Sequence, residues 1–379
     1  MREKKVLFLI PTLFRGGAER VISEVSLALP ESIEPVIVVF EKKISFPYRG
    51  KLVSLDSPIS KNLFLRFFRF FVRWLKFLKV LASEKPDCVV SAGASANAIS
   101  ILAHPRPVVR VDMHISGSRK GWRQLPFKLF VRFFFKKAHL LVAVSKAIAL
   151  YLEKNFRIPP EKIRVIYNPV NVKKLQALAQ EPLDPEYESL FACPVIIAMG
   201  RLERQKGHQY LLRAFTQVKK KIPQAQLVLL GEGSLKGSLQ ELSHELGIQD
   251  SVHFLGWQEN PFRFLARAKV FALSSIFEGL PDVLLEALAC QLPIVSFDCK
   301  SGPREVLSPM SNINGVASDV EKAPYGILVP PNNEALLAQA LLQVLQNEVL
   351  QQRYRQLARE RAQDFDISVV LPQWHFLFK

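Results

Sequence analysis

The amino-acid sequence predicts an α/β protein with two doubly wound parallel-sheet domains. Three observations predict this fold. The chain has 379 residues, of which 49% are hydrophobic, so it can bury two ordinary cores. Short runs rich in Val, Ile and Leu alternate with helical patterns through both halves. These runs are apolar at consecutive positions, as expected of parallel strands that are buried on both faces.

The apolar runs are the predicted strands, and the segments between them supply the helices. In the first half the runs are 6–10, 35–40, 88–91, 108–111, 140–144 and 164–166. In the second half they are 194–199, 226–230, 252–255, 270–273 and 293–297. Pro, Glu and Asp cluster between residues 168 and 185, which predicts an N-terminal domain of residues 1–172 and a second domain from residue 173.

The carboxyl ends of the strands are the expected place for a ligand, because open parallel sheets bind their ligands there. With two such sheets, the ligand is expected in the cleft between two facing domains. Residues with useful chemistry are therefore sought in the loops that come after the predicted strands.

Composition and terminal sequence exclude several classes of protein. Four cysteines lie far apart, without metal-ligand spacing or a disulfide framework, which indicates a reducing cytoplasm. The apolar run 6–10 is too short for a signal peptide, and Pro11 ends it. No segment has the roughly 18 uncharged apolar residues of a spanning helix. A protein that is not integral to the membrane is expected.

The net charge of +17 is placed unevenly along the chain. Residues 1–172 contain 30 Lys+Arg and 12 Asp+Glu, whereas residues 173–379 contain 21 and 22. The whole positive excess therefore belongs to the N-terminal half. We expect that half to meet an anionic partner, either a nucleic acid or an acidic lipid surface.

The segment 277–289 (FEGLPDVLLEALA) is the strongest candidate for a binding site. Its Leu-Pro-Asp sequence predicts a helix start, where the backbone N–H groups around Gly279 and Leu280 form an anion site. Glu278 lies ahead of the helix and Glu286 lies in its second turn. A diphosphate at the helix start would therefore have a carboxylate on either side, and carboxylates suit sugar hydroxyls rather than phosphate. The alternative is an amphipathic helix with two solvated glutamates.

Two glycine-containing loops also come after predicted strands. In the segment 200–207 (GRLERQKG), Arg201 and Lys206 can reach one anionic group, and such a pair of cations suits a leaving diphosphate. Gly16 and Gly17 come after the first strand and allow the backbone to approach a ligand closely. Ordinary surface loops are the alternative for each segment alone.

Five segments occur in a recognisable order and spacing: 16–20 (GGAER), 200–207, 231–233 (GEG), 254–256 (FLG) and 278–286 with a glutamate at each end. Together they resemble family 4 of the retaining glycosyltransferases, which have the GT-B fold of two Rossmann-like domains facing across a cleft. The resemblance covers nearly the whole chain. The sequence SGPREV at 301–306 resembles members that build bacterial lipid-linked oligosaccharides and polysaccharides, often from UDP-sugars.

The resemblance implies a role for each site residue. Arg201 and Lys206 would bind the donor diphosphate, Glu286 the nucleotide ribose, and Glu278 the donor sugar, while the amides of Gly279 and Leu280 would meet sugar or phosphate oxygens. His114 resembles the N-domain histidine that contacts the sugar near the reaction centre. In the front-face scheme for such enzymes, the leaving phosphate takes the acceptor proton, so cations and helix amides stabilise the developing charge.

The resemblance implies a hexosyltransferase that needs no cofactor. The donor-site segments contain no Asp-x-Asp metal motif, so no divalent metal is expected to be required. The segment 365–379 is expected to pack back on the N-terminal domain, which leaves 173–364 as the donor-binding domain. Gln291 departs from the family, which usually has glycine just after the helix, where glycine eases a left-handed cap. Asp112, near the predicted site histidine, matches no family position.

Two aromatic and basic helices are predicted in the N-terminal half. The cations of the first, in residues 61–79, form one stripe: Arg66, Arg69, Arg73 and Lys76. The second, in residues 127–137, repeats the pattern with Lys128, Arg132 and Lys136. Phe and Trp fill the other faces, which favours binding to an anionic membrane surface. The stripe is alternatively suited to the pyrophosphate of a polyprenyl-linked acceptor, or to solvent beside a packed helix.

The sequence-based hypothesis is therefore a glycosyltransferase that moves a sugar from a nucleotide-sugar donor to a lipid-linked glycan. It is expected to be cytoplasmic and peripheral on the inner face of the membrane. One alternative is a sugar-nucleotide enzyme of the same fold, such as an epimerase. A basic nucleic-acid-binding protein is a weaker alternative, because it does not explain the segments in the neutral half.

Overall fold

The computed structural model describes residues 4–14, 16–58, 62–112 and 124–378, and the chain divides into two compact units. Unit 1 comprises Met1–Pro169 and Ile367–Lys379, and unit 2 comprises Val170–Asp366. The sequence-based boundaries were 172/173 and 364/365. Among the helices of the described residues, none combines the length and apolar composition needed to cross a membrane.

Unit 1 contains a parallel sheet. Its strands within the described residues are β1 (Lys4–Ile10), β2 (Ile33–Val39), β3 (Lys51–Ser54), β4 (Cys88–Ala92), β5 (Pro107–Val111), β6 (Leu140–Ala143) and β7 (Ile163–Val165). Their order across the sheet is β3-β2-β1-β4-β5-β6-β7. The helices that connect them are α1 (Gly17–Ala28), α2 (Leu63–Glu84), α3 (Ala94–Ala103), α4 (Gln124–Lys137) and α5 (Lys146–Phe156).

Unit 2 repeats this architecture with a mixed edge. Its strands are β8 (Val195–Met199), β9 (Gln226–Leu230), β10 (Val252–Gly256), β11 (Val270–Leu273), β12 (Ile294–Phe297), β13 (Glu321–Ala323) and β14 (Gly326–Val329). Their order is β10-β9-β8-β11-β12-β14-β13, and only β13 is antiparallel to its neighbour. The helices are α6 (Val172–Ala179), α7 (Pro185–Phe191), α8 (His208–Lys221), α9 (Lys236–Glu245), α10 (Phe262–Leu265), α11 (Asp282–Ala289), α12 (Pro303–Leu307), α13 (Glu334–Leu345) and α14 (Glu348–Gln363).

The last helix, α15 (Ile367–Leu377), belongs to unit 1 rather than to the helices that precede it. Trp374 is fully buried among side chains of β1, β2 and α1. The Phe378 ring meets Phe8 edge to face, and its carbonyl accepts a hydrogen bond from Lys4 Nζ at 3.2 Å. Burying these two large aromatic side chains holds the end of the chain on this unit.

All eleven sequence-predicted strands are strands in the structure, and three observed strands were missed. β3 and β13 lie at sheet edges, are short, and carry polar residues that break the apolar pattern. β14 is short and has three apolar residues after its glycine. Edge strands leave a weak sequence signal because only part of their surface is buried.

Strand order reverses once in each sheet. The reversal lies between β1 and β4 in unit 1 and between β8 and β11 in unit 2. Loops that leave such a pair of strands diverge to opposite faces of the sheet, so a crevice opens at their carboxyl ends. The loop after β8 carries the segment 200–207, and the loop after β11 carries Glu278.

Candidate functional site

Lys206 and Glu278 meet at the strand-order reversal of unit 2. The ammonium Nζ of Lys206 lies 2.6 Å from Oε1 of Glu278. Both side chains are largely buried. The two residues are 72 positions apart in sequence, and neither motif predicts by itself that they form an ion pair. The structure therefore brings two sequence-predicted site residues into one charged group.

Glycines shape the loop that presents Lys206. The segment leaves β8 through Gly200, forms a short turn at Arg204–Lys206, and enters α8 through Gly207. Gly207 has φ +61°, and a Cβ atom there would overlap the carbonyl oxygen of Ser274. The Ser274 hydroxyl donates to the Lys206 carbonyl at 2.9 Å. A side chain at position 207 would push the lysine loop away from the end of β11.

Gln205 is a site residue to which the sequence analysis assigned no role. Its Nε2 donates to the carbonyl of Phe277 at 2.9 Å and to Oε2 of Glu278 at 3.3 Å. Because Lys206 occupies Oε1, hydrogen bonds hold both carboxylate oxygens of Glu278 in place. Gln205 lies within the motif 200–207, so the sequence places it in this loop. The sequence does not predict that its side chain binds Glu278.

The backbone around Glu278 is also fixed. The Glu278 amide donates to the carbonyl of Lys300 at 2.9 Å, and its carbonyl accepts from the amide of Ser301 at 3.1 Å. The Ser301 hydroxyl donates to the carbonyl of Gly279 at 2.8 Å. The sequence SGPREV therefore supports the loop that carries the candidate site.

The predicted helix start is present as α11, which begins at Asp282. Pro281 occupies the N-cap position and has no side-chain oxygen to cap the helix. Leu280 is buried just ahead of it, and Glu286 is buried in the second turn. The helix N-terminus thus lies in the same loop as Glu278, where its dipole favours a negative charge.

Arg201 follows Gly200 in the loop after β8, and its side chain is exposed. Next to it, the loop after β9 packs backbone against backbone: the Gly200 amide donates to the Leu230 carbonyl at 2.9 Å. Glu203 ties the two loops together, because it accepts hydrogen bonds from the Ser234 amide at 3.0 Å and hydroxyl at 2.9 Å. These bonds hold the pKa of Glu203 below its ordinary value.

His208, the first residue of α8, is buried directly after this loop. Burial, together with the positive charge of Lys206, lowers the pKa of His208 from 6.5 to about 4. The imidazole is therefore neutral at physiological pH. A second positive charge beside Lys206 is disfavoured in the folded chain.

Acidification is expected to destabilise the folded chain through His208. Between pH 6.5 and 4 the histidine of the unfolded chain binds a proton that His208 in the folded chain does not bind. The free energy of unfolding is therefore unaffected by His208 above pH 6.5 and decreases as the pH falls below it. The loss attributable to His208 is roughly 2–3 kcal/mol at pH 4.5. Urea unfolding of the wild type and of His208→Gln at pH 7.5 and 4.5 measures it.

The matched control for this pH effect is His244→Gln, because His244 is an exposed histidine on α9. The His244→Gln variant should keep the pH dependence of the wild type, whereas His208→Gln should lose part of it. An equal pH dependence in the wild type and in His208→Gln would show that His208 is not the titrating group.

The predicted site residues of unit 1 are only partly described. Gly16 is the N-cap of α1 in an extended conformation, and Gly17 begins the helix, directly after β1 at the reversal of strand order. His114 lies outside the described residues. The roles predicted for these three residues stay predictions.

A buried polar cluster that the sequence analysis missed lies at the carboxyl end of β5. Arg110 is 1% exposed, forms an ion pair with Asp112, and donates from Nη2 to Asn168 Oδ1 at 2.6 Å. Its carbonyl accepts from Asn97 Nδ2 at 2.9 Å. Burial raises the pKa of Asp112, and the Arg110 charge opposes that shift. An arginine inside an apolar strand was the only available signal.

Three cations of the α2 stripe, Arg69, Arg73 and Lys76, donate to loop carbonyls of unit 1, and their predicted contact with a membrane or an acceptor stays a prediction. Arg69 donates to the Pro58 carbonyl at 2.7 Å, Arg73 to the Ser57 carbonyl at 2.9 Å, and Lys76 to the Leu55 carbonyl at 2.6 Å. Arg73 is 5% exposed and lies over the Phe40 ring. Loop carbonyls that lack strand partners attract these cations.

Of the other predicted membrane residues Arg66, Lys128 and Arg132, only Arg132 has a described side chain. Arg132 is half-buried on α4. The side chains of Arg66 and Lys128 lie outside the described part of the structure. The contribution of these three residues to membrane or acceptor binding therefore stays a prediction.

Two further expectations concern single residues. Gln291 has φ +57° after α11, the left-handed conformation in which the family usually has glycine. The expectation of metal-independent transfer did not consider the Asp-x-Asp tripeptide at residues 364–366, a sequence that can bind a metal in such enzymes. Asp364 accepts a hydrogen bond from Arg361 at 2.6 Å, and Asp366 accepts one from the Val172 amide at 3.1 Å. Metal independence itself stays a prediction.

Comparison with known protein families assigns both halves of the chain to glycosyltransferases. Residues 15–174 match the family described as Glycosyltransferase Family 4, and residues 192–361 match the family described as Glycosyl transferases group 1. An uncharacterized glycosyltransferase of Methanocaldococcus jannaschii is 35% identical, over 86% of this chain and 87% of its own. A Campylobacter jejuni protein is 30% identical over 96% of both chains. Its name is N-acetylgalactosamine-N,N'-diacetylbacillosaminyl-diphospho-undecaprenol 4-alpha-N-acetylgalactosaminyltransferase.

Solved structures share the fold. Anabaena HepE in complex with UDP and glucose superposes with a TM-score of 0.77 at 20% identity, and 98% of each chain is covered. Sucrose-phosphate synthase from Thermosynechococcus elongatus gives a TM-score of 0.80 at 16% identity, over 99% of this chain and 98% of that one. At these identities the likeness concerns the fold alone.

Proposed function

The chain belongs to glycosyltransferase family 4, with the GT-B fold, and from this premise we propose that it transfers a sugar from a UDP-sugar to a lipid-linked glycan with retention of configuration. The observation that carries the proposal is the Lys206–Glu278 pair at the strand-order reversal of unit 2. An ammonium, a carboxylate and a helix N-terminus in one crevice suit the diphosphate and the sugar of a nucleotide-sugar.

The leaving diphosphate is the group that needs stabilisation in this reaction. Negative charge grows on it as the bond to the sugar breaks. Lys206, the exposed Arg201 and the amides ahead of α11 lie in adjacent loops and supply positive charge to one region. Such preorganised donors lower the barrier most where charge develops.

Retention in this scheme requires no protein nucleophile. Both oxygens of Glu278 accept hydrogen bonds, from Lys206 and from Gln205, which reduces the nucleophilicity of the carboxylate. This supports a role for Glu278 in holding a sugar hydroxyl and in orienting Lys206. The leaving phosphate then takes the acceptor proton. We assign Glu286 to the ribose and propose that no divalent metal takes part.

The choice of donor and acceptor draws on the relatives. The HepE structure holds UDP, which supports a uridine nucleotide, and the name of the Campylobacter relative specifies a diphospho-undecaprenol-linked substrate. The +18 charge of residues 1–172 supports an anionic surface as the place where the acceptor is met. We therefore propose attachment to the inner face of the cytoplasmic membrane.

A thermal-shift panel with UDP, GDP and ADP tests the donor assignment. We expect UDP to raise the melting temperature most, by mass action on the folded state, and EDTA to leave that shift unchanged. The second measurement is transfer from the matching UDP-sugars to a polyprenyl-diphosphate glycan, with the product anomer determined by NMR.

The same assay separates the alternatives. An isomerised sugar nucleotide formed without acceptor would support the epimerase instead. Absence of a shift with all three nucleotides would contradict the donor site. An inverted anomer would contradict retention and would leave the glycosyltransferase assignment intact.

A further inference from the structure

Three helices of unit 1 share one face of its sheet. α3 packs against both α2 and α4, whereas α1 and α15 cover the opposite face. Large apolar side chains on these three helices are exposed: Leu65, Phe67, Phe68, Phe71, Leu75, Leu102 and Phe133. We call these seven residues the aromatic surface.

The aromatic surface is unusual for a chain in water. Phe67 is 68% exposed and Phe68 is 60% exposed, one directly after the other on α2. Contiguous exposed apolar side chains mark binding surfaces. Three cations of the same helix do not cover them, because Arg69, Arg73 and Lys76 donate to carbonyls of the segment 55–58. Phe67 and Phe68 are therefore presented by α2 without cover from these three cations.

The charge of the segment that carries the aromatic surface favours one occupant. Residues 61–137 contain 16 Lys+Arg but only three Asp+Glu. Glu84 is paired with Lys5 and Lys51, and Asp112 with Arg110. Lys137 lies over the Phe133 ring at 4.4 Å, so a cation flanks an exposed aromatic side chain directly. Aromatic side chains beside cations, in a segment with few acids, match the boundary between anionic headgroups and acyl chains.

We propose that the aromatic surface inserts into an anionic lipid bilayer, with Phe67, Phe68 and Phe71 as the inserted side chains. Burial of apolar side chains then supplies most of the binding free energy. Cations beside the aromatic surface, such as Lys137, add a smaller electrostatic contribution. The choice of a lipid partner rests on the proposed function, since a lipid-linked acceptor must be met at a membrane. The sequence-based hypothesis used the aromatic side chains and the cationic stripe of α2 together, whereas this proposal assigns the contact mainly to the aromatic side chains.

Salt distinguishes the two modes of attachment. Surface electrostatics is strongly screened in concentrated salt, whereas burial of apolar surface is not weakened by it. We expect binding to vesicles of 30% phosphatidylglycerol and 70% phosphatidylcholine to fall less than about threefold in 0.5 M NaCl. Phe67→Ser combined with Phe68→Ser should reduce the partition coefficient by at least about tenfold.

The matched control removes exposed apolar side chains elsewhere. Met310 and Val349 are exposed residues of unit 2, and Met310→Ser with Val349→Ser should bind vesicles as the wild type does. All variants change exposed side chains, so unchanged melting curves are expected and are measured first. Vesicle sedimentation with the full-length chain gives the partition coefficients.

The proposal would be overturned if the Phe67/Phe68 variant bound vesicles like the wild type, or if 0.5 M NaCl released the wild type from them. Concentration-dependent self-association without vesicle binding would also overturn it, in favour of a second copy of the chain. Transfer to a water-soluble acceptor analogue is measured in parallel. Its absence in the wild type would contradict the proposed function, whereas vesicle binding would still stand or fall separately.

Discussion

Lys206→Ala is expected to reduce kcat/KM for sugar transfer by at least about 100-fold. Removing one preorganised donor from a developing oxyanion costs about 3 kcal/mol in the barrier. The ammonium of Lys206 is held at 2.6 Å from Glu278 in a largely buried position, so its location needs little reorganisation during the reaction. The measurement is a steady-state transfer assay with the UDP-sugar that the thermal-shift panel selects.

Stability must be separated from catalysis in this variant. Without Lys206, the buried carboxylate of Glu278 keeps only the hydrogen bond from Gln205, and an unpaired buried charge is destabilising. Lys206→Ala combined with Glu278→Gln should regain much of the lost stability and none of the activity. Recovery of both together would show that the lysine acts through folding alone.

Two further variants bracket this result. Arg201→Ala removes an exposed side chain, so it should lose activity comparably with an unchanged melting temperature. Lys220→Ala removes an exposed lysine at the other end of α8 and should leave both properties at the wild-type value. Near-wild-type turnover in Lys206→Ala or in Arg201→Ala would contradict the proposed mechanism.

Gly231→Ala is expected to lower the stability of unit 2 by about 3 kcal/mol or more and to abolish most transfer. Gly231 has φ +128°, a region that only glycine adopts readily, and a Cβ atom there would overlap the carbonyl oxygen of Gly200. Relief of that overlap displaces Gly200 and the neighbouring Arg201. Calorimetry should show a fall of roughly 6–12 °C in melting temperature.

Gly237→Ala is the matched control. Gly237 lies in α9, and outside its chain neighbours and the backbone of that helix no atom comes within 4 Å of an added Cβ there. The change should raise stability by about 0.5–1 kcal/mol, because alanine loses less backbone freedom in a helix than glycine does. Transfer should be unchanged. Equal effects of Gly231→Ala and Gly237→Ala on the melting temperature would show that the loops after β8 and β9 tolerate separation.

The fold was largely predictable because its signals are local. A parallel strand buried on both faces needs apolar residues at consecutive positions, and runs such as Val195–Met199 show them directly. The candidate site was predictable for the same reason: Gly207 and the sequence before Asp282 mark backbone conformations required within a few residues. β3 and β13 escaped because an edge strand does not need such a run.

The sequence by itself therefore determined which residues are candidates for binding a diphosphate and where each lies relative to a strand end. Only the tertiary structure decided which partner each charge has. Lys206 reaches Glu278 across 72 residues, and Arg73 turns toward the loop before α2 rather than outward. A strand or turn depends on neighbours along the chain, whereas a long charged side chain goes to whichever unsatisfied oxygen folding places within reach.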